Sequence, residues 1–202
     1  MIVWSPPQSP CSSASSGVEV FQQAYGLLLS RSRHLPNDEL LAQMVVSQVS
    51  GGGALPAGLG LLPTEFAALM DRHFPNATLP PRIHRPPPIW DARLLEEKTE
   101  LIDLLNAHRA GQDMSEHWLS MIVATACMAN DHLWQDLGLW SRRYLSQLMH
   151  HNFPTLAAKN DRDMKWKKFL YKQLCEREGV YLCRAPSCAV CCDYALCFGP
   201  EE

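Results

Sequence analysis

Six cysteines crowd the C-terminal end of this chain, at Cys175, Cys183, Cys188, Cys191, Cys192 and Cys197, while Cys11 and Cys127 stand alone. A solitary cysteine is most simply a small buried hydrophobe, and that reading suits Cys127. It does not suit six thiols in so short a stretch. The N-terminus, Met1-Ile-Val-Trp-Ser-Pro-Pro, lacks the charged start and apolar core of a secretory signal, so the expected compartment is the reducing cytoplasm. There, clustered thiols read as metal ligands or redox groups before disulfides.

With Cys191 as the third ligand, the spacing from Cys183 to Cys197 is C-x4-C-x2-C-x5-C. Its first three cysteines reproduce the C-x4-C-x2-C run with which plant-type ferredoxins present thiolates to iron. Short x2 and x4 turns aim sulfurs at a common centre and can turn backbone N–H groups towards the sulfides of an iron–sulfur cluster. All four ligands, Cys183, Cys188, Cys191 and Cys197, would come from one continuous segment. Structural zinc is the rival reading, although zinc ribbons usually show two CxxC-like pairs and only Cys188 and Cys191 form one here. Thiol redox chemistry of the thioredoxin kind calls for a βαβ context, of which the sequence gives no sign. Cys192 could replace Cys191 in register, and Cys175 lies one helix upstream, so both are accessory candidates. Four thiolates around a cluster leave net negative charge, which Arg184 and the preceding lysines are placed to balance, while Tyr194, Leu196 and Phe198 offer an apolar cover.

The elements that position this loop read as helices. Ser5–Gly17 is rich in serine and proline, so residues 1–17 are expected to be a disordered leader, with residues 18–202 forming one helical domain. Helical spacing runs from Val18 to about Arg31. Asn37 is placed to cap a second helix ending before Gly51-Gly-Gly53, and Pro63 suits the first turn of a third. Prolines crowd Pro75–Pro88, which predicts an extended connection. Asp91 caps a helix to about Arg109, with Leu94, Leu101 and Leu105 inward and Glu96, Glu97 and Glu100 largely outward. Asp113 or Ser115 opens the next helix, the stretch His132–Gly138 breaks it, and Ser141–His151 forms another. The last, from Asp163 to about Glu178, turns Trp166, Phe169, Leu170 and Leu174 inward and carries Lys165, Lys168 and Lys172 as a second stripe. No strand-like alternation is sustained. The expected fold is all-α, an irregular bundle of roughly six or seven helices with a C-terminal cysteine-rich metal-cluster loop at 183–197.

Composition narrows the function classes. At 202 residues with 47% hydrophobic content, the chain can build one real core. A formal net charge of -3 gives no reason to expect a nucleic-acid partner. No apolar run approaches the roughly 20 residues that cross a bilayer, so no membrane span is expected.

Three separated stretches together resemble a known family. They are Met164-Lys-Trp-Lys-Lys-Phe-Leu-Tyr-Lys-Gln-Leu-Cys175-Glu-Arg-Glu-Gly179 with the cysteine run to Cys197-Phe-Gly199; Ala126-Cys-Met-Ala-Asn-Asp-His-Leu-Trp-Gln-Asp-Leu-Gly-Leu139; and Asn152-Phe-Pro-Thr-Leu-Ala-Ala-Lys-Asn160. They resemble NifQ, a family of nitrogen-fixation accessory proteins, persuasively from about Leu94 to Glu202, loosely from Val18 to Pro88, and not in the leader. The resemblance implies a molybdenum donor that carries an iron–sulfur cluster, 4Fe-4S or Mo–Fe–S. It implies delivery of molybdenum to the iron–molybdenum cofactor of nitrogenase through the scaffold NifEN with the iron protein NifH. The family's C-x4-C-x2-C-x5-C motif falls on Cys183, Cys188, Cys191 and Cys197, with Cys192 as an extra. Such a protein is a carrier and assembly factor rather than an enzyme. The zinc-stabilised helical module and the simple iron–sulfur electron carrier are the alternatives.

Within that reading, His132 and Asp136, at i and i+4, are accessory candidates to face the cluster or incoming molybdate if their segment is helical; the plainer role is local capping and hydrogen bonding. Lys165, Lys167, Lys168 and Arg184 form a basic patch that could steer molybdate or dock an acidic partner.

Overall fold

The computed structural model describes residues 13–79 and 89–178, and among these it is all-helical, with no strand. The elements are α1 (Ser13–Arg31), α2 (Asp38–Val49), a short 3-10 turn (Ala57–Gly60), α3 (Pro63–His73), α4 (Ala92–Ala107), α5 (Ser115–Cys127), α6 (Leu133–Asp136), α7 (Arg142–Asn152), α8 (Pro154–Ala157) and α9 (Trp166–Glu178). α1 begins at Ser13, five residues ahead of Val18, where helical spacing starts in the sequence. The proline-rich connection falls largely outside the described residues, as do residues 1–12.

Local chemistry explains the starts of α3, α4 and α5. Pro63 occupies the first turn of α3, where its missing N–H costs nothing, and Glu65 reaches back to accept from the Leu62 N–H at 2.9 Å. Asp91 caps α4 by accepting from the Leu94 N–H at 2.8 Å. Asn37 precedes α2 as expected but does not cap it. Its backbone is left-handed (φ 75°), and its side chain exchanges two 2.8 Å hydrogen bonds with Asn152 of α7. Glu116 turns back at the start of α5 to accept from the N–H groups of Gly111, Gln112 and Asp113 at 2.7–3.0 Å.

The core is one apolar cluster. Leu28 of α1, Leu41 and Met44 of α2, Leu69 of α3, Leu101 and Leu105 of α4, Ile122 of α5, Leu148 of α7 and Leu170 of α9 are all fully buried. α4 packs against α5 on one side and α9 on another. Phe21 and Tyr25 hold α1 down on Trp140, with ring centroids 5.5 and 4.5 Å apart. One inward/outward assignment is corrected: Glu97 is only 3% exposed. It lies one turn before the buried Leu101, and the guanidinium of Arg93, one turn earlier on the same helix, covers it at 2.9 Å.

Two hydrogen bonds build the corner between α2 and α6. The turn after α2 packs against the end of α6, where Ala54 N–H donates to the Asp136 carbonyl at 2.8 Å and Ser47 Oγ donates to the Gly138 carbonyl at 2.6 Å. Gly138 has φ +73°, and a Cβ there would stand 2.6 Å from that of Ser47, so only glycine fits.

Candidate metal centre and the helix that leads to it

Cys183, Cys188, Cys191, Cys192, Cys197 and Arg184 lie outside the described residues. The structure does describe α9, which ends at Glu178 just before the cysteine segment begins. α9 starts where Asn160 closes a loop, accepting from the Met164 N–H at 2.8 Å and donating to the Met164 carbonyl at 2.9 Å. Arg142 holds the same loop through Asp163 at 2.6 Å. All four residues expected to face inward, Trp166, Phe169, Leu170 and Leu174, are buried; so are Tyr171, Gln173 and Cys175. α9 is therefore a core helix.

Of the basic residues on and just before this helix, Lys172 is exposed and pairs with Glu176 at 3.5 Å, while Lys165 and Lys168 are half-buried. Lys167 differs. Its ammonium turns inward, forms an ion pair with Asp136 and donates to the Ala129 carbonyl at 2.9 Å. The Asp136 carboxylate is 2% exposed and also accepts from the Asp131 N–H at 3.1 Å. Burial raises the pKa of Asp136, and the Lys167 ammonium opposes that shift. The lysine therefore has a structural partner, and the basic patch loses one of its members. The sequence carried a sign of this: Lys167 precedes Leu170, Tyr171 and Leu174 at i+3, i+4 and i+7, the stripe of a buried face.

The other accessory candidates separate. His132 has an extended backbone just before α6, its side chain is half-exposed, and its N–H donates to Gln135 Oε1 at 3.2 Å. Asp136 closes α6 and faces α9. His132 is the N-cap of α6, its carbonyl accepting from the Asp136 N–H at 2.9 Å, while the Asp136 side chain is taken up by Lys167 of α9. Cys127 ends α5 fully buried beside this ion pair, and burial pushes its thiol up to about 12, so it is an inert core thiol. Cys175 is a buried thiol near the end of α9. Among the described residues no three His, Cys, Asp or Glu side chains are grouped to hold a metal. No described helix is long and apolar enough to cross a membrane.

These features define the class: a helical protein whose last described core helix leads into a cysteine-rich segment of metal-ligand spacing. The family model described as NifQ matches residues 40–199. The chain is 44% identical to Protein NifQ of Azotobacter vinelandii over 180 residues, covering 85% of this chain and 90% of that protein. It is 41% identical to Protein NifQ of Rhodobacter capsulatus over 167 residues (80% and 87%) and 35% identical to Protein NifQ of Klebsiella pneumoniae over 176 residues (81% and 99%). No solved structure matches. The chain belongs to the NifQ family of nitrogen-fixation proteins.

Proposed function

We propose that this chain is a metal-cluster carrier that donates molybdenum for assembly of the iron–molybdenum cofactor of nitrogenase, and that it is not an enzyme. The observation that supports this most is the run Cys183-x4-Cys188-x2-Cys191-x5-Cys197, which falls wholly within the family-matched residues 40–199. The donor set fits an iron–sulfur cluster: four soft thiolates on one short segment suit iron and sulfide-bridged metals better than hard cations. When bound, such a cluster supplies sulfide and electrons for converting the oxyanion molybdate into sulfur-ligated molybdenum.

The chain's own residues do the rest. The four cysteines hold the group as thiolates, with Cys192 and Cys175 in reserve. Arg184 in the loop, with Lys165 just before α9 and Lys168 on it, offsets negative charge and draws molybdate in. The implied recipients are the scaffold NifEN and the iron protein NifH.

Two experiments test this reading. Cys188→Ala, purified without oxygen, is expected to lose molybdenum and most iron while its far-ultraviolet circular dichroism matches the parent. Retained molybdenum in that variant, or loss of helicity alone, contradicts the assignment. Molybdenum transfer should also slow as ionic strength rises, and more gently once Lys168→Glu removes part of the attraction; transfer indifferent to both would remove the steering role.

A further inference from the structure

The geometry points to Lys167 and Asp136 as positioning residues: together they pin the rotation and height of α9, and so the side from which the cysteine segment leaves the body. The consequence for metal loading rests on the function proposed above; the pinning itself does not.

The argument begins with what burial cannot specify. α9 buries Trp166, Phe169, Leu170, Tyr171, Leu174 and Cys175, which cover well over half of its circumference. Apolar contact is non-directional, so a helix that is apolar around most of its surface can turn by one residue and still bury similar area. A charge in the middle of the buried face removes that freedom. Lys167 occupies such a position, on the stripe that continues through Leu170, Tyr171 and Leu174, each fully buried.

Its ammonium is satisfied in one place only. It meets the Asp136 carboxylate and, at 2.9 Å, the Ala129 carbonyl, so the α5–α6 connection and the end of α6 bind it from two directions. Asp136 is fixed in turn: its side chain accepts from the Asp131 N–H at 3.1 Å, and its carbonyl accepts from Ala54 N–H at 2.8 Å. Rotating or sliding α9 by one residue would bury an ammonium and a carboxylate apart from each other. A buried polar pair can fix register even where it adds little net stability. The same reasoning separates the lysines of α9 by role: Lys167 orients the helix, and Lys172 faces solvent.

The test uses the full chain and a double variant, Asp136→Asn with Lys167→Met, which removes both charges at nearly constant volume. Lys167→Met alone strands a buried carboxylate and is expected to destabilise. The double variant should recover thermal stability close to the parent. If the pair is a register pin, backbone amides of α9 in that recovered variant exchange with deuterium about tenfold faster than in the parent while those of α2 and α5 do not. Iron bound per chain after anaerobic reconstitution then drops by about half or more, because a loosely supported site loads poorly. A double variant matching the parent in stability, α9 exchange and iron content would overturn the proposal. If the parent itself bound no iron, the carrier reading would fall, and the α9 exchange would still decide whether the pin exists.

Discussion

Two polar corners of this molecule are built on opposite plans. Where α2, α3, the start of α5 and the end of α7 meet, charge is spread over a network. Asp38 accepts from Ser32 and from the Leu35 N–H and faces the buried His73 ring at 2.5 Å. Arg72 pairs with Asp113, and Asn37 exchanges hydrogen bonds with Asn152. Where α6 meets α9, the polar contact centres on one ion pair: Lys167 meets Asp136 and the Ala129 carbonyl, and Asp136 also accepts from the Asp131 N–H. A network shares the loss of any member among several remaining bonds, whereas a buried charge whose one ionic partner is removed keeps only neutral ones. That pair ties α9, the helix that leads to the cysteines, to α6.

Breaking that pair is the sharpest way to expose the difference. Lys167→Met should cost about 3–5 kcal/mol in urea unfolding, the usual penalty for leaving one buried charge without its partner. A loss below about 1 kcal/mol would mean that Asp136 finds another donor, and the two corners would no longer differ in kind.

The network answers to pH instead. His73 is fully buried, and burial lowers its pKa below the ordinary value of 6.5; Asp38 and Asp113 oppose that shift, while Arg72 adds to it. A histidine whose folded pKa is depressed contributes stability that is fully present above 6.5 and is lost as pH falls through the folded value. Stability of the parent should therefore decline on acidification below 6.5, and His73→Gln should flatten that part of the profile. An unchanged profile would assign the acid sensitivity to other groups.

The smallest effect belongs to the solvent side of α9. Lys172 pairs with Glu176 at 3.5 Å with both side chains about half exposed, so Lys172→Ala should change stability by only a few tenths of a kcal/mol. A cost rivalling that of Lys167→Met would show that the lysines of this helix are not divided by role.

The contrast also explains what could be read ahead of the structure. Helix boundaries were legible where one residue's chemistry sets them, as with Pro63, Asp91 and the Asn37 position before α2. The inward face of α9 was legible from the spacing of Trp166, Phe169, Leu170 and Leu174. Charges that ended up buried were not. Glu97 and Lys167 belong to types that normally face water, and the partner of Lys167 lies 31 residues away, beyond any local pattern. The one-turn helices α6 and α8 were missed because four residues are too few to show a period. The side chain of Asn37 went to Asn152, a contact across 115 residues that no capping rule anticipates. The proposed ligand set was read from cysteine spacing and family resemblance, and the cysteine segment lies beyond the described residues.

The most direct measurement is iron, molybdenum and zinc analysis with electron paramagnetic resonance on one anaerobic preparation of the full chain from molybdate-fed, nitrogen-fixing cells. A molybdenum-donating cluster carrier predicts iron and molybdenum together, with a paramagnetic signal that disappears in Cys188→Ala. Zinc alone, without a signal in any redox state, would contradict the account and make the cysteine segment a structural zinc site.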